Sequence, residues 1–260
     1  MVVEANWYTG RMTLFYLIIA IILGSAVSLA GGILLLRAKK HRDLAILLTL
    51  PFGAGALLAA AFFDLLPEAF KLGEPRTLLL WTLAGFTLFF VLERSASWFH
   101  HHHEHGSIQH KNAQQRRLIV LGDVMHNAID GFAIGAAFLV SIPTGIITAL
   151  AVSAHEIPKE LGTFALLLSR GWKDTVVLLA NLATAIATIV TALTVYFLGT
   201  SSHLPVGPLL AITAGFFIYV AASDIIPEIH EQTHRTGTIQ EIMLVAGIII
   251  VGAVITLLGV

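Results

Sequence analysis

The chain has 260 residues, of which 57% are apolar and only 12% charged, with a formal net charge of −1. That composition leaves too little polar surface to coat a soluble globule of this size and points to a polytopic membrane protein. The near-zero net charge offers nothing to nucleic acid, and the absence of cysteine restricts any metal site to nitrogen and oxygen donors, which argues against thiolate-selected Cu(I).

A helix needs roughly 20 apolar residues to cross the hydrocarbon. The pattern predicts eight spans in one membrane domain over residues 1–260: Met12 to Leu36, Leu44 to Leu66, Thr77 to Phe99, Leu118 to Val140, Thr144 to Ser169, Thr175 to Gly199, Val206 to Ile226 and Ile239 to Leu258. The first apolar stretch is too long for a signal-peptide core and is expected to remain as a helix. Eleven of the fifteen Lys and Arg residues fall in the odd-numbered loops or, for Arg94, near the end of the span that leads into one. Because basic loops stay cytoplasmic, both termini are expected on the extracytoplasmic side.

The second span ends Asp64-Leu-Leu-Pro67-Glu68, and 160 positions later the seventh ends Asp224-Ile-Ile-Pro227-Glu228, with Ala54-Gly55 likewise repeated at Ala214-Gly215. The two spans run in opposite directions, so the shared ending lands at opposite faces, as in an inverted-repeat transporter. On this reading Asp64 and Glu68 form an outer mouth, and Asp224 and Glu228 an inner one. A proline-broken helix end with solvated carboxylates is the plain alternative.

The loop after the third span contains His100, His101, His102, His103 and His105. Dense histidine tracts bind metals loosely, and this one is expected to serve as an accessory cytoplasmic metal-binding loop or as a dispensable tail.

The fourth and fifth spans carry the chemistry. His126 and Asp130 are four residues apart on one helical face, extended by Asp123. The fifth span adds His155 and Glu156, with Lys159 and Glu160 one turn further on. A charge at the bilayer centre costs about 2.5 to 3.5 kcal/mol on insertion scales, so six ionisable or imidazole groups there, Asp123 aside, need a function, and holding a cation supplies one. Mixed imidazole and carboxylate donors suit Zn²⁺ or a similar first-row dication better than Mg²⁺ or Ca²⁺. Pro158 is expected to open the fifth helix beside these groups, while Gly131 and Gly135 allow close helix approach.

His230-Glu231-Gln232-Thr233-His234 is a literal HExxH, but it follows Pro227 in a short predicted loop without a third ligand, and protease chemistry is discounted. His230 and His234 are read instead as acceptors of metal leaving the inner mouth. An intramembrane zinc hydrolase using the central groups is the rival reading.

The stretches HNxxDGxAIGAAF (His126 to Phe138) and HExPxELGxFA (His155 to Ala165), together with the paired D-x-x-P-E endings and the run Thr213 to Val220, resemble the ZIP family of divalent metal transporters. The resemblance covers nearly all eight spans. It implies an all-α, eight-helix membrane fold with outward termini and movement of metal toward the cytoplasm. It also implies that His126, Asp130, His155 and Glu156 form the main site, with Asn127 close by. The metal is a substrate rather than a cofactor, Zn²⁺ foremost, with Cd²⁺, Fe²⁺ and Mn²⁺ as alternatives.

Two departures from the family pattern stand out: Lys159 replaces a carboxylate or histidine, and Thr188 stands near a family glutamate. One central metal is therefore expected, with the Lys159 ammonium in the second position, paired to Asp130, Glu160 or Asp123. The membrane unit suggests a bacterial inner membrane. A homodimer is compatible with the sequence but not demanded by it.

Overall fold

The computed structural model describes residues 2–37, 42–101, 108–169, 171–201, 204–227 and 234–258. These form eight helices and no strand: α1 (Val2–Arg37), α2 (Arg42–Ala60, continued by Leu66–Lys71), α3 (Pro75–His101), α4 (Ile108–Phe138), α5 (Ile142–Ser169), α6 (Asp174–Ser201), α7 (Val206–Val220, extended past Ile225) and α8 (His234–Leu258). Each predicted span falls within or along one helix. The helices run past the apolar stretches because backbone hydrogen bonding continues once the chain leaves the apolar segment. His100 and His101, expected in a loop, close α3, and His234 opens α8. His102, His103, His105, Glu228 and His230 lie outside the described residues.

Four stretches, Pro75–Ser95, Asp174–Ser201, Val206–Ser223 and Thr236–Leu257, and the joined Ile46–Lys71, are long and apolar enough to cross a bilayer. Arg11–Val27 and Ile142–Ile157 are shorter apolar runs. Large apolar side chains such as Leu179, Ile242, Ile249 and Leu257 point outward, a surface that fits hydrocarbon rather than water.

The helices pack chiefly as α2 with α8, α3 with α7, α1 with α5, and α4 with α6, while α5 also lies against α2 and α4. Close approach sets two of these pairs. A Cβ on Gly55 of α2 would run into the α8 backbone at Leu244 and Ile248, and one on Gly215 of α7 would run into the α3 backbone at Thr82 and Phe86. Gly55 and Gly215 are the repeated glycines, so equivalent positions make equivalent backbone contacts in the two halves.

The repeat also governs local helix geometry. One π-helical stretch spans Ala61–Leu65 and another Ala221–Ile225, 160 positions apart. In each, the N–H of the next residue (Leu66 or Ile226) reaches back five residues to the carbonyl of Ala61 or Ala221. Pro67 and Pro227 lack an N–H and crowd the carbonyl four residues back, at Phe63 and Ser223 inside the π stretches, and a wider turn relieves both problems. The start of α7 at Gly207 packs beside Ala69 and Leu72 at the end of α2, so the two repeats run antiparallel. Pro158 behaves differently from the expectation, because α5 continues as α-helix from Ile142 through Ser169; among the described residues the departures from α geometry within helices are the two π-turns.

At the start of α3, exposed Glu74 accepts a hydrogen bond from the Thr77 backbone N–H at 2.7 Å. This cap satisfies an orphan helix donor, and the backbone N–H groups of Thr77 and Arg76 hold the Glu74 carboxyl below its usual range.

Candidate metal centre

The centre forms where α4 and α5 face each other and each is anchored from behind. Behind α4, Gly131 lets α6 approach so closely that a Cβ would sit 2.8 Å from the Thr188 Cα. Behind α5, Gly53 of α2 rests on the chain at His155, where a Cβ would lie 2.8 Å from the His155 Cα. Neither histidine-bearing helix can shift sideways without a backbone clash.

Between these supports His126 Nε2 lies 3.2 Å from His155 Nε2. Asp130 Oδ2 lies 3.8 Å from His126 Nε2 and 3.7 Å from His155 Nε2. With Glu156 included, the four ligand atoms fall within 4.8 Å of one another. Donors about 2.0 to 2.1 Å from a tetrahedral zinc stand about 3.3 Å apart, so the histidines are already at that separation, and the carboxylates need to close in by on the order of 1 Å.

Asp130, His155 and Glu156 are buried, and His126 is partly buried. His155 Nδ1 faces the Ala151 carbonyl at 3.4 Å, which leaves Nε2 as the ring nitrogen aimed into the centre. The edge of Phe89 packs against the His126 ring at 5.7 Å between centroids and 83°. Phe89 in turn stacks on Tyr219 and meets Phe216 edge-on, forming an aromatic wall from α3 and α7 that limits how the imidazole can turn.

Asn127, next to His126 in the chain, is held at both ends of its side-chain amide. Its amide nitrogen donates to the Asp123 carbonyl at 3.0 Å, and its side-chain oxygen accepts from the Thr188 hydroxyl at 3.0 Å. The same hydroxyl lies 3.0 Å from the Asn127 backbone carbonyl. Thr188 thus acts as a clamp between α6 and α4, a role that sequence spacing alone does not reveal because the two residues are 61 positions apart.

The Lys159 ammonium pairs with Asp123 Oδ1 at 2.9 Å, one of the expected partners, and with Glu156 Oε1 at 2.5 Å. The second contact adds Glu156 to the expected partners Asp130, Glu160 and Asp123; the three-residue spacing on one helix is its signal. Glu160 is buried and lines a cavity of about 30 Å³ with Asn127, Asp130, Glu156, Ser153 and Thr188.

Of the residues read as mouths, Asp64 is fully buried in the first π-turn, beside Thr144 of α5. Glu68 pairs with exposed Lys71 near the end of α2. Asp224 occupies the matching position in the second π-turn.

The chain matches the family described as ZIP Zinc transporter over residues 12–118 and 115–255. It is 44% identical to zinc transporter ZIP4 of Homo sapiens over 110 residues, which are 42% of this chain and 17% of that protein. It is 41% identical to zinc transporter ZIP10 of Danio rerio over 111 residues, covering 43% and 13%. Against zinc transporter ZIP13 of Pongo abelii it is 31% identical over 219 residues, covering 77% of this chain and 64% of that one. The matched segments thus span from 13% to 64% of the length of these relatives. With a family match running across nearly all the helices, including both that carry the His, Asp and Glu cluster, the chain belongs to the ZIP zinc transporter family.

Proposed function

We propose that the protein is an integral membrane transporter that moves a divalent transition metal, zinc foremost, into the cytoplasm through the His126, Asp130, His155 and Glu156 centre. The observation that carries this reading is the convergence of those four donors from α4 and α5 to within 4.8 Å of one another, with the two imidazole nitrogens already near the tetrahedral separation. The chain acts as a single membrane domain in which all eight helices cross the bilayer, with both termini outside, as the distribution of basic residues requires.

Alternating access is supported by the asymmetry of burial around the centre. Toward the end of α2 where Asp64 lies, Asp64, Thr144 and Thr148 are completely buried. On the other side of the histidines, the Lys159 and His126 side chains retain 21% and 15% exposure. This corresponds to a centre closed toward the outside and accessible from the cytoplasm, and the paired π-turns and glycine contacts supply the two related halves that such a cycle uses.

Lys159 makes this a one-metal centre. A dication in the second position would meet an ammonium already paired to two carboxylates, and Thr188 offers only a hydroxyl where the family glutamate would supply a charge. The hydrolase alternative draws no support, since the matched family is one of transporters.

The test is metal influx into liposomes carrying the purified full chain. Zinc should accumulate with the native protein and fail to do so with His126→Ala. Equal accumulation by both would remove the α4 and α5 centre from the pathway.

A further inference from the structure

We propose that Lys159 is a tethered competing cation, which holds Glu156 while the centre is empty and yields it to the metal by withdrawing onto Asp123. The inference rests on the reading of the four-residue cluster as a metal centre. It goes beyond that reading by assigning to Lys159 the control of binding and release.

The two contacts of the ammonium are unequal. That to Glu156 Oε1 is an aligned hydrogen bond at 2.5 Å, whereas that to Asp123 Oδ1 at 2.9 Å is an ion pair outside hydrogen-bonding alignment. Glu156 belongs to the ligand set and Asp123 does not. The ammonium is therefore seated on a carboxylate that the metal needs, with a second, unused carboxylate within reach.

The covalent layout allows the exchange. Lys159 is one turn after Glu156 on α5, and Asp123 is one turn before His126 on α4, so the ammonium sits between the helices just beyond the ligands. The flexible four-carbon stem lets the head group shift by an ångström or so without moving either backbone. Such a shift frees Glu156 to close on the metal and improves the contact to Asp123.

Charge balance favours the same sequence. Asp123, Asp130 and Glu156, with Glu160 lining the cavity beside the last two, face a single ammonium, so a dication offsets the excess of carboxylates. When the metal leaves, the ammonium returns to Glu156, and the empty centre does not leave a bare carboxylate in a low-dielectric interior. The returning ammonium also blocks the ligand against immediate recapture of the same ion. The ammonium remains protonated throughout; the exchange moves a charged head group and no proton.

The test measures zinc affinity and release on the full chain in detergent for the native protein, Lys159→Gln, Asp123→Asn and the double variant. Lys159→Gln should bind zinc about ten-fold more tightly, or beyond, and release it correspondingly more slowly, an effect of the size seen for close charge pairs. Asp123→Asn, which removes the parking position, should weaken zinc about ten-fold when Lys159 is present and change it by less than about two-fold in the Lys159→Gln background. Equal weakening in both backgrounds would mean simple long-range electrostatics and would overturn the exchange. Weaker binding by Lys159→Gln would likewise overturn it in favour of a purely structural lysine. Should the Gln variant fail to fold, Lys159→Met, which keeps the apolar stem, carries the same comparison. If the native chain binds no zinc, the metal reading itself falls, an outcome distinct from any failure of the cycle.

Discussion

The Thr188 hydroxyl on α6 sits 3.0 Å from both the side-chain and the backbone oxygens of Asn127 on α4. This places a helix-to-helix clamp one residue from His126. Thr188→Val should cost about 1 to 3 kcal/mol of stability, because it leaves a buried amide oxygen without its donor. Thr188→Ser should retain most of it. Thermal unfolding of the purified variants, with zinc affinity measured alongside, checks the ranking; a neutral Val substitution would refute the clamp.

Gly131 and Gly122 lie on the same helix and face opposite fates. A Cβ at Gly131 collides with Thr188 and Thr191 of α6, while one at Gly122 meets nothing within 4 Å. Gly131→Ala should therefore destabilise by about 1 to 3 kcal/mol or more and abolish transport. Gly122→Ala should be neutral or raise stability by about 0.5 to 1 kcal/mol through helix propensity. Comparing expression, thermal stability and uptake of the two variants tests whether α4 and α6 are locked together at this level.

Asp64 is fully buried beside the Thr144 hydroxyl of α5. A carboxylate buried with so little polar support opposes folding, so Asp64→Asn should raise the unfolding midpoint by a few degrees. If the carboxylate serves metal approaching from outside, the same variant should lower zinc uptake several-fold at limiting external metal. A variant both more stable and fully active would mean that Asp64 has no part in the pathway.

Deleting residues 100–105 should leave zinc uptake within about two-fold of native at equal expression, because loosely binding histidine tracts collect metal without forming a transport site. Loss of all transport at normal expression would give the tract an essential role.

The helices were legible because crossing hydrocarbon demands long apolar runs. The central donors were legible because ionisable groups inside such runs are expensive. The asparagine clamp was not, since Thr188 approaches Asn127 only after α6 packs on Gly131 and Gly135, a tertiary event with no local signature. The expectation of an opened helix at Pro158 failed while the π-turns before Pro67 and Pro227 formed, so a proline's effect depends on whether packing lets the preceding turn widen. The contact of Lys159 with Glu156 could have been read from their spacing.

The central claim is one metal held between His126 and His155, and zinc-edge anomalous scattering from crystals of the zinc-loaded protein tests it most directly. A single peak about 2.0 to 2.1 Å from both imidazole Nε2 atoms, with carboxylate oxygens of Asp130 and Glu156 at similar range, is the predicted result. Two peaks about 3.5 to 4 Å apart, the spacing of paired metals, or no peak between the histidines, would contradict it.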